Sequence, residues 1–147
     1  MDDRDLELRR QTYRLFVELG RAPTVDEVAE VVGDAPAEVT RGWRRLHAEH
    51  ALVLDESGLE IRMANPFSAV PTPYRVLAAE RWWFANCAWD AFGICAALDT
   101  DGRIETACPD CGDPIRIDVH NRHPDDESIL FHCLVPAAKW WTDIVFT

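Results

Sequence analysis

The chain has 147 residues, 48% of them apolar, and carries 26 acidic against 15 basic side chains, for a formal charge of −11. That is enough apolar surface to fold one compact unit, or two small subdomains sharing a core, without disulfide staples. The acidic balance argues against a general grip on nucleic acid, which needs a basic surface to displace counterions from phosphates. No stretch approaches the length of a membrane span and Met1-Asp2-Asp3-Arg4-Asp5 is not a signal peptide, while five cysteines, an odd number, fit a reducing cytoplasm.

Residues from about Asp5 to Met63 read as a winged helix-turn-helix module. A first helix is expected over Asp5–Leu19, with Leu6, Leu8, Tyr13, Leu15, Phe16 and Leu19 as its apolar positions and Gly20 as its stop. Thr24 and Glu27 have the spacing of a capping box for a second helix, which Gly33 ends. Pro36 suits the first turn of a third helix, running through Val39, Trp43 and Leu46 to about His50. The runs 51–54 and 59–62 about the turn Asp55-Glu56-Ser57-Gly58 then predict a hairpin, the wing. Arg41, Arg44, Arg45 and His47 would be the reading positions if the third helix entered DNA. In so acidic a chain, with Glu38 and Glu49 diluting that face, scaffold is the better reading.

Asn65 to Tyr74 is a connector held extended by Pro66, Pro71 and Pro73. Arg75–Phe84 is expected to contain a strand leading into a helix that ends near Leu98. The turn Asp99-Thr100-Asp101-Gly102 follows, then short strands over Arg103–Ala107, Ile115–Val119 and Ser128–Val135, a brief helix over Pro136–Thr142, and an apolar run from Ile144 to Phe146. The second module, residues 64–147, is thus small and mixed, and the whole chain is α+β. In the pairs Trp82-Trp83 and Trp140-Trp141 one ring is expected to face inward and one outward; a pocket for alkyl or aryl groups is the functional alternative.

The densest chemistry lies at Trp83-Phe84-Ala85-Asn86-Cys87-Ala88-Trp89-Asp90. Cys87 and Asp90 stand three residues apart, on one face of a helix. Asn86 is a good N-cap, which would put Cys87 in the first turn, where unpaired N–H groups and the helix dipole favour a thiolate. Taken singly, a free cysteine is most often a small buried hydrophobe and the aspartate a surface carboxylate. Together they make a nucleophile beside a proton carrier.

That segment, preceded by Asn65-Pro66-Phe67-Ser68-Ala69-Val70-Pro71-Thr72-Pro73-Tyr74 and followed by Val135-Pro136-Ala137-Ala138-Lys139-Trp140-Trp141-Thr142-Asp143-Ile144, resembles the organomercurial (alkylmercury) lyases. The Cys-Ala-x-Asp core is short, but the ordered set of three segments is fairly specific, and the resemblance covers nearly all of the chain. It implies a detoxifying enzyme acting on a small organomercurial. Cys87 would attack mercury, a soft cation that prefers thiolates, and Asp90 would take the thiol proton and deliver it to the departing carbon. The products would be a hydrocarbon and mercury(II), passed to cellular thiols or a mercury-accepting reductase, with no cofactor required. The family's second cysteine would fall just beyond a segment matching 143–147. The sequence stops at Thr147, so the expectation is of a truncated or divergent member lacking one thiolate.

Cys95 lies about 12 Å from Cys87 along a helix axis, too far to clasp the same metal, and is assigned to the core, as is Cys133 in its expected strand. Cys108-Pro109-Asp110-Cys111-Gly112 has the shape of a zinc knuckle; His120, His123, His132 and Cys133 could supply the two further ligands, but no second C-x-x-C exists and their spacing matches no common pattern. Reduced thiols or a weak metal knuckle come first for Cys108 and Cys111, stable zinc second, redox catalysis last; mercury released from Cys87 is a further candidate ligand. The rival readings of the whole chain are a metal- or thiol-responsive winged-helix regulator sensing through Cys108 and Cys111, and an inactive lyase relative that binds metal.

Overall fold

The computed structural model describes residues 1–145, so Phe146, expected in an apolar run with Ile144 and Val145, lies outside the described residues. Helix α1 (Asp3–Leu19) begins where the Asp2 carboxylate accepts the Asp5 N–H at 2.8 Å, and ends on Gly20 at φ 71°. Helix α2 (Val25–Val32) opens with the expected capping box of Thr24 and Glu27, and α3 (Pro36–Ala48) starts on its proline. Leu8, Leu15 and Phe16 of α1, Val28 of α2, and Val39, Trp43 and Leu46 of α3 meet in the core. Fully burying each of the larger ones stabilises the fold by about 1.5–3 kcal/mol. Leu6, off that stripe, and Leu19, at its open end, are exposed instead. One buried polar link ties α1 to α3: the Thr12 hydroxyl donates to Leu8 O at 2.8 Å and accepts the Trp43 Nε1–H at 3.0 Å.

The expected hairpin forms from β1 (Val53–Leu54) and β2 (Ile61–Ala64), antiparallel about a turn in which the Asp55 carboxylate accepts the Leu59 and Glu60 N–H groups. A third strand, β3 (Phe67–Ser68), pairs with β2 inside the stretch read as a connector. The module boundary expected after residue 63 falls within β2.

The second sheet holds β4 (Arg75–Ala78), β5 (Arg81–Phe84), β6 (Gly102–Ala107), β7 (Pro114–His120) and β8 (His123–Pro124), all antiparallel in the order β5-β4-β6-β7-β8. The single strand expected over 75–84 is therefore a hairpin. Its turn, Ala79-Glu80, takes positive φ at both residues (49° and 58°) without the glycine or asparagine that normally announces it. Helix α4 (Ala88–Leu98) lies close on this sheet: a Cβ at Gly102 would sit 2.6 Å from Cys95 Sγ and 2.9 Å from Leu77 O. Cys95 is buried there, as expected. Of the first tryptophan pair, Trp83 faces inward and Trp82 outward.

The two sheets share one core. Phe67 and Ala85 form an antiparallel bridge, and the Phe67 ring lies 5.4 Å from Phe16 and 5.1 Å from Trp83. The strand expected over Ser128–Val135 does not form. After β8 the acidic run Asp125-Asp126-Glu127 turns the chain off the sheet, with Asp125 bonded back to Asp118 and Asp126 accepting from Ser128. Leu130 and Leu134 are accordingly 91% and 80% exposed. The brief helix is a 3-10 turn over Ala137–Thr142, anchored where Trp141 stacks on His50 at 4.0 Å. Among the described residues no helix is long and apolar enough to cross a membrane.

Candidate functional site

Cys87, rather than Asn86, is the N-cap of α4. Its backbone is extended (φ −150°, ψ −179°), and its sulfur accepts the Asp90 N–H at 3.5 Å. Asn86 stands one position earlier because its side chain is engaged elsewhere: Nδ2 donates to Asp90 Oδ2 at 2.9 Å and to Asn65 Oδ1 at 3.1 Å. The connector is pinned alongside, since Thr72 Oγ1 donates to Ala85 O at 2.6 Å and the Ala85 N–H to Tyr74 O at 3.0 Å. The proline-rich segment thus fixes the entrance to the helix that carries both candidate residues.

Cys87, Asp90 and Asn86 open into one cavity of about 680 Å³. Met63, Tyr74 and Trp89 wall it on one side, the β6–β7 turn contributes Pro109 and Asp110, and the C-terminal segment closes over it with Phe131, Leu134 and Trp140 among others. That size suits a small ligand with an apolar group. Tyr13 of α1, whose hydroxyl donates to Ala51 O at 3.1 Å, holds its proton chiefly because it is buried, and the Asp90 charge is near enough to add a little to that, so the helical module backs the site.

Burial decides the resting protonation. It pushes the Cys87 thiol above its ordinary value; the Asp90 and Trp89 N–H groups pull it back only in part, and the Asp90 charge raises it further. The helix entrance is therefore too weak to make Cys87 a resting thiolate, contrary to the sequence-based expectation. Burial also raises the Asp90 carboxyl, against the Asn86 hydrogen bond that favours its charged form. A thiol that gives up its proton on meeting a soft metal here faces a carboxylate unusually ready to take it.

Cys133, assigned from sequence to the core, is exposed and lines this same cavity, close enough for its charge to raise the Cys87 thiol. Without the expected strand nothing draws it inward; its Sγ donates to Val135 O at 3.1 Å, beside the Trp140 Nε1–H bonded to the same oxygen at 2.7 Å. Sequence reasoning also missed Asn86 as the partner of Asp90. The signal available was the asparagine four residues before the aspartate.

Cys108 and Cys111 sit in the β6–β7 turn, following a strand rather than opening a helix. Among the described residues no three His, Cys, Asp or Glu side chains converge to hold a metal ion.

The family model described as "MerB: Alkylmercury lyase" matches residues 67–147. Two curated proteins named alkylmercury lyase, from Bacillus cereus and Clostridium butyricum, are each 26% identical over 104 residues, covering 71% of this chain and 45% of the relative. The chain thus spans about half the length of the curated relatives it matches. The crystal structure of the mercury-bound form of MerB2 superposes with a TM-score of 0.69 at 22% identity, over 86% of this chain and 60% of the other, a likeness of fold.

Proposed function

Because this chain belongs to the alkylmercury lyase family, we propose that it cleaves carbon–mercury bonds, with Cys87 and Asp90 as the reacting pair. The observation that carries this reading is their meeting, both partly buried, at the first turn of α4 in one largely apolar cavity.

The Cys87 sulfur bonds to mercury, its proton passes to Asp90, and the leaving ligand departs as an anion. Sulfur donation enriches the carbon bound to the metal. The carbon–mercury bond then breaks with its electron pair going to carbon, which takes the Asp90 proton and leaves as a hydrocarbon. Asp90 returns to the carboxylate, and mercury(II) remains on the Cys87 thiolate. Cys133, in the same cavity, supplies a second sulfur to that ion, its thiol proton passing to solvent. The apolar side chains lining the cavity receive the organic group.

The N-terminal helices with the β1–β2 hairpin are read as a winged-helix-type scaffold rather than a DNA reader. Arg45 is spent on Asp5 at 2.7 Å, Arg41 on Glu38, and His47 Nδ1 accepts the Leu54 N–H at 3.1 Å, so three of the four candidate reading positions serve the fold.

Phenylmercury incubated with the protein should release benzene, detected in the headspace, and Cys87→Ser should abolish it. Benzene release unchanged by that substitution removes Cys87 from the mechanism.

A further inference from the structure

We propose that Cys108 and Cys111 form a two-thiol docking site, outside the reaction cavity, for the mercury(II) that leaves Cys87. The inference rests on the lyase reading for the origin of its ion, but not for the site itself.

Two independent features carry it. The first is the turn's conformation. Between β6 and β7 the Cys108 N–H donates to Asp113 O at 2.8 Å and the Gly112 N–H to Cys108 O at 2.9 Å, with Gly112 at φ 77°. A side chain at Gly112 would be strained in that conformation. This tight knuckle holds Cys108 and Cys111 three residues apart on one short turn between two paired strands. Both thiols are reduced, Cys111 on the surface and Cys108 partly so.

The second feature is position. The two residues between the cysteines, Pro109 and Asp110, form part of the wall of the cavity that holds Cys87 and Cys133. The knuckle therefore stands at the cavity's rim. Two sulfurs complete the coordination of mercury(II), which is satisfied by two soft ligands, whereas structural zinc takes four.

Transfer is a thiolate exchange that needs no oxidant or reductant. The Cys108 sulfur bonds to mercury held by Cys87 and Cys133, and Cys111 follows. Two mercury–sulfur bonds form and two break. The Cys108 and Cys111 thiol protons go to Cys87 and Cys133, which return to thiols.

The test uses inorganic mercury(II), so it is independent of bond cleavage. One equivalent is added to the reduced protein with excess glutathione present, and free thiols are then mapped by iodoacetamide labelling and mass spectrometry. Cys108 and Cys111 should be protected and Cys87 labelled. Cys108→Ser/Cys111→Ser should retain mercury at least about 10²-fold less well, since both members of a tethered pair of contacts are gone, yet still release one equivalent of benzene from phenylmercury. Protection of Cys87 and Cys133 with the knuckle labelled, or mercury retention unchanged in the double variant, overturns the proposal. Knuckle protection in a protein that releases no benzene leaves the docking site standing and removes the lyase reading. Tighter retention of zinc than of mercury by the knuckle overturns the choice of ion.

Discussion

Asn86 Nδ2 lies 2.9 Å from Asp90 Oδ2, so one side-chain amide fixes the carboxylate that the proposed chemistry needs as a proton carrier. Its other contact, 3.1 Å to Asn65 Oδ1, roots that amide in the turn between β2 and β3. Asn86→Ala should lower turnover by about 10–100-fold through misplacement. The amide favours the charged carboxylate, so its loss should also move the acid limb of the pH–rate profile upward. A merely structural role would lower the rate and leave the limb where it is.

The thiols should label in an order set by their surroundings. Turn N–H groups hold Cys108 below the ordinary thiol value, while burial holds Cys87 above it. At pH 7 iodoacetamide should therefore modify Cys108 faster than Cys87. Raising the pH to 9 should accelerate Cys87 more, because little of it is thiolate at the start. Peptide mapping in which Cys87 reacts first at pH 7 would contradict this order.

The Thr12–Trp43 bond, 3.0 Å and fully buried, is the polar centre of the helical module. Thr12→Val keeps the shape but leaves the Trp43 N–H unpaired, a loss of about 1–3 kcal/mol. Urea unfolding should show a lower midpoint with an unchanged slope.

Arg45 holds the Asp5 carboxyl below its ordinary value. A depressed carboxylate stabilises the fold fully above its unfolded value, about 3.9, and that contribution is lost as pH falls through the folded value. Arg45→Ala should cost about 1–2 kcal/mol at pH 7, the guanidinium being half exposed. The gap between the two proteins' melting temperatures should close as the pH falls below 4.

Where a local signal sufficed, the sequence was readable. Thr24 with Glu27, Pro36, and Gly20 mark helix ends by chemistry confined to a few residues, and the structure has those ends. Cys87 and Asp90 were legible for the same reason, since three residues on one helix fix their relation. What escaped depended on distant partners. Asn86 has the local look of an N-cap, yet Asn65 and Asp90 claim its side chain. The Ala79-Glu80 turn forms because β4 pairs with both β5 and β6, not because its residues favour positive φ. Cys133 carries an apolar neighbourhood that reads as a strand, but the acidic turn before it takes the segment off the sheet and over the cavity.

The central claim is that one sulfur seizes the metal and one carboxyl finishes the cleavage, and Asp90→Asn separates these acts. Mixed with phenylmercury, that variant should carry the intact phenylmercury group on Cys87 in its mass spectrum and release benzene about 10²–10⁴-fold more slowly than the parent. Benzene release at the parent rate, or a phenylmercury adduct found only on other cysteines, would contradict the account.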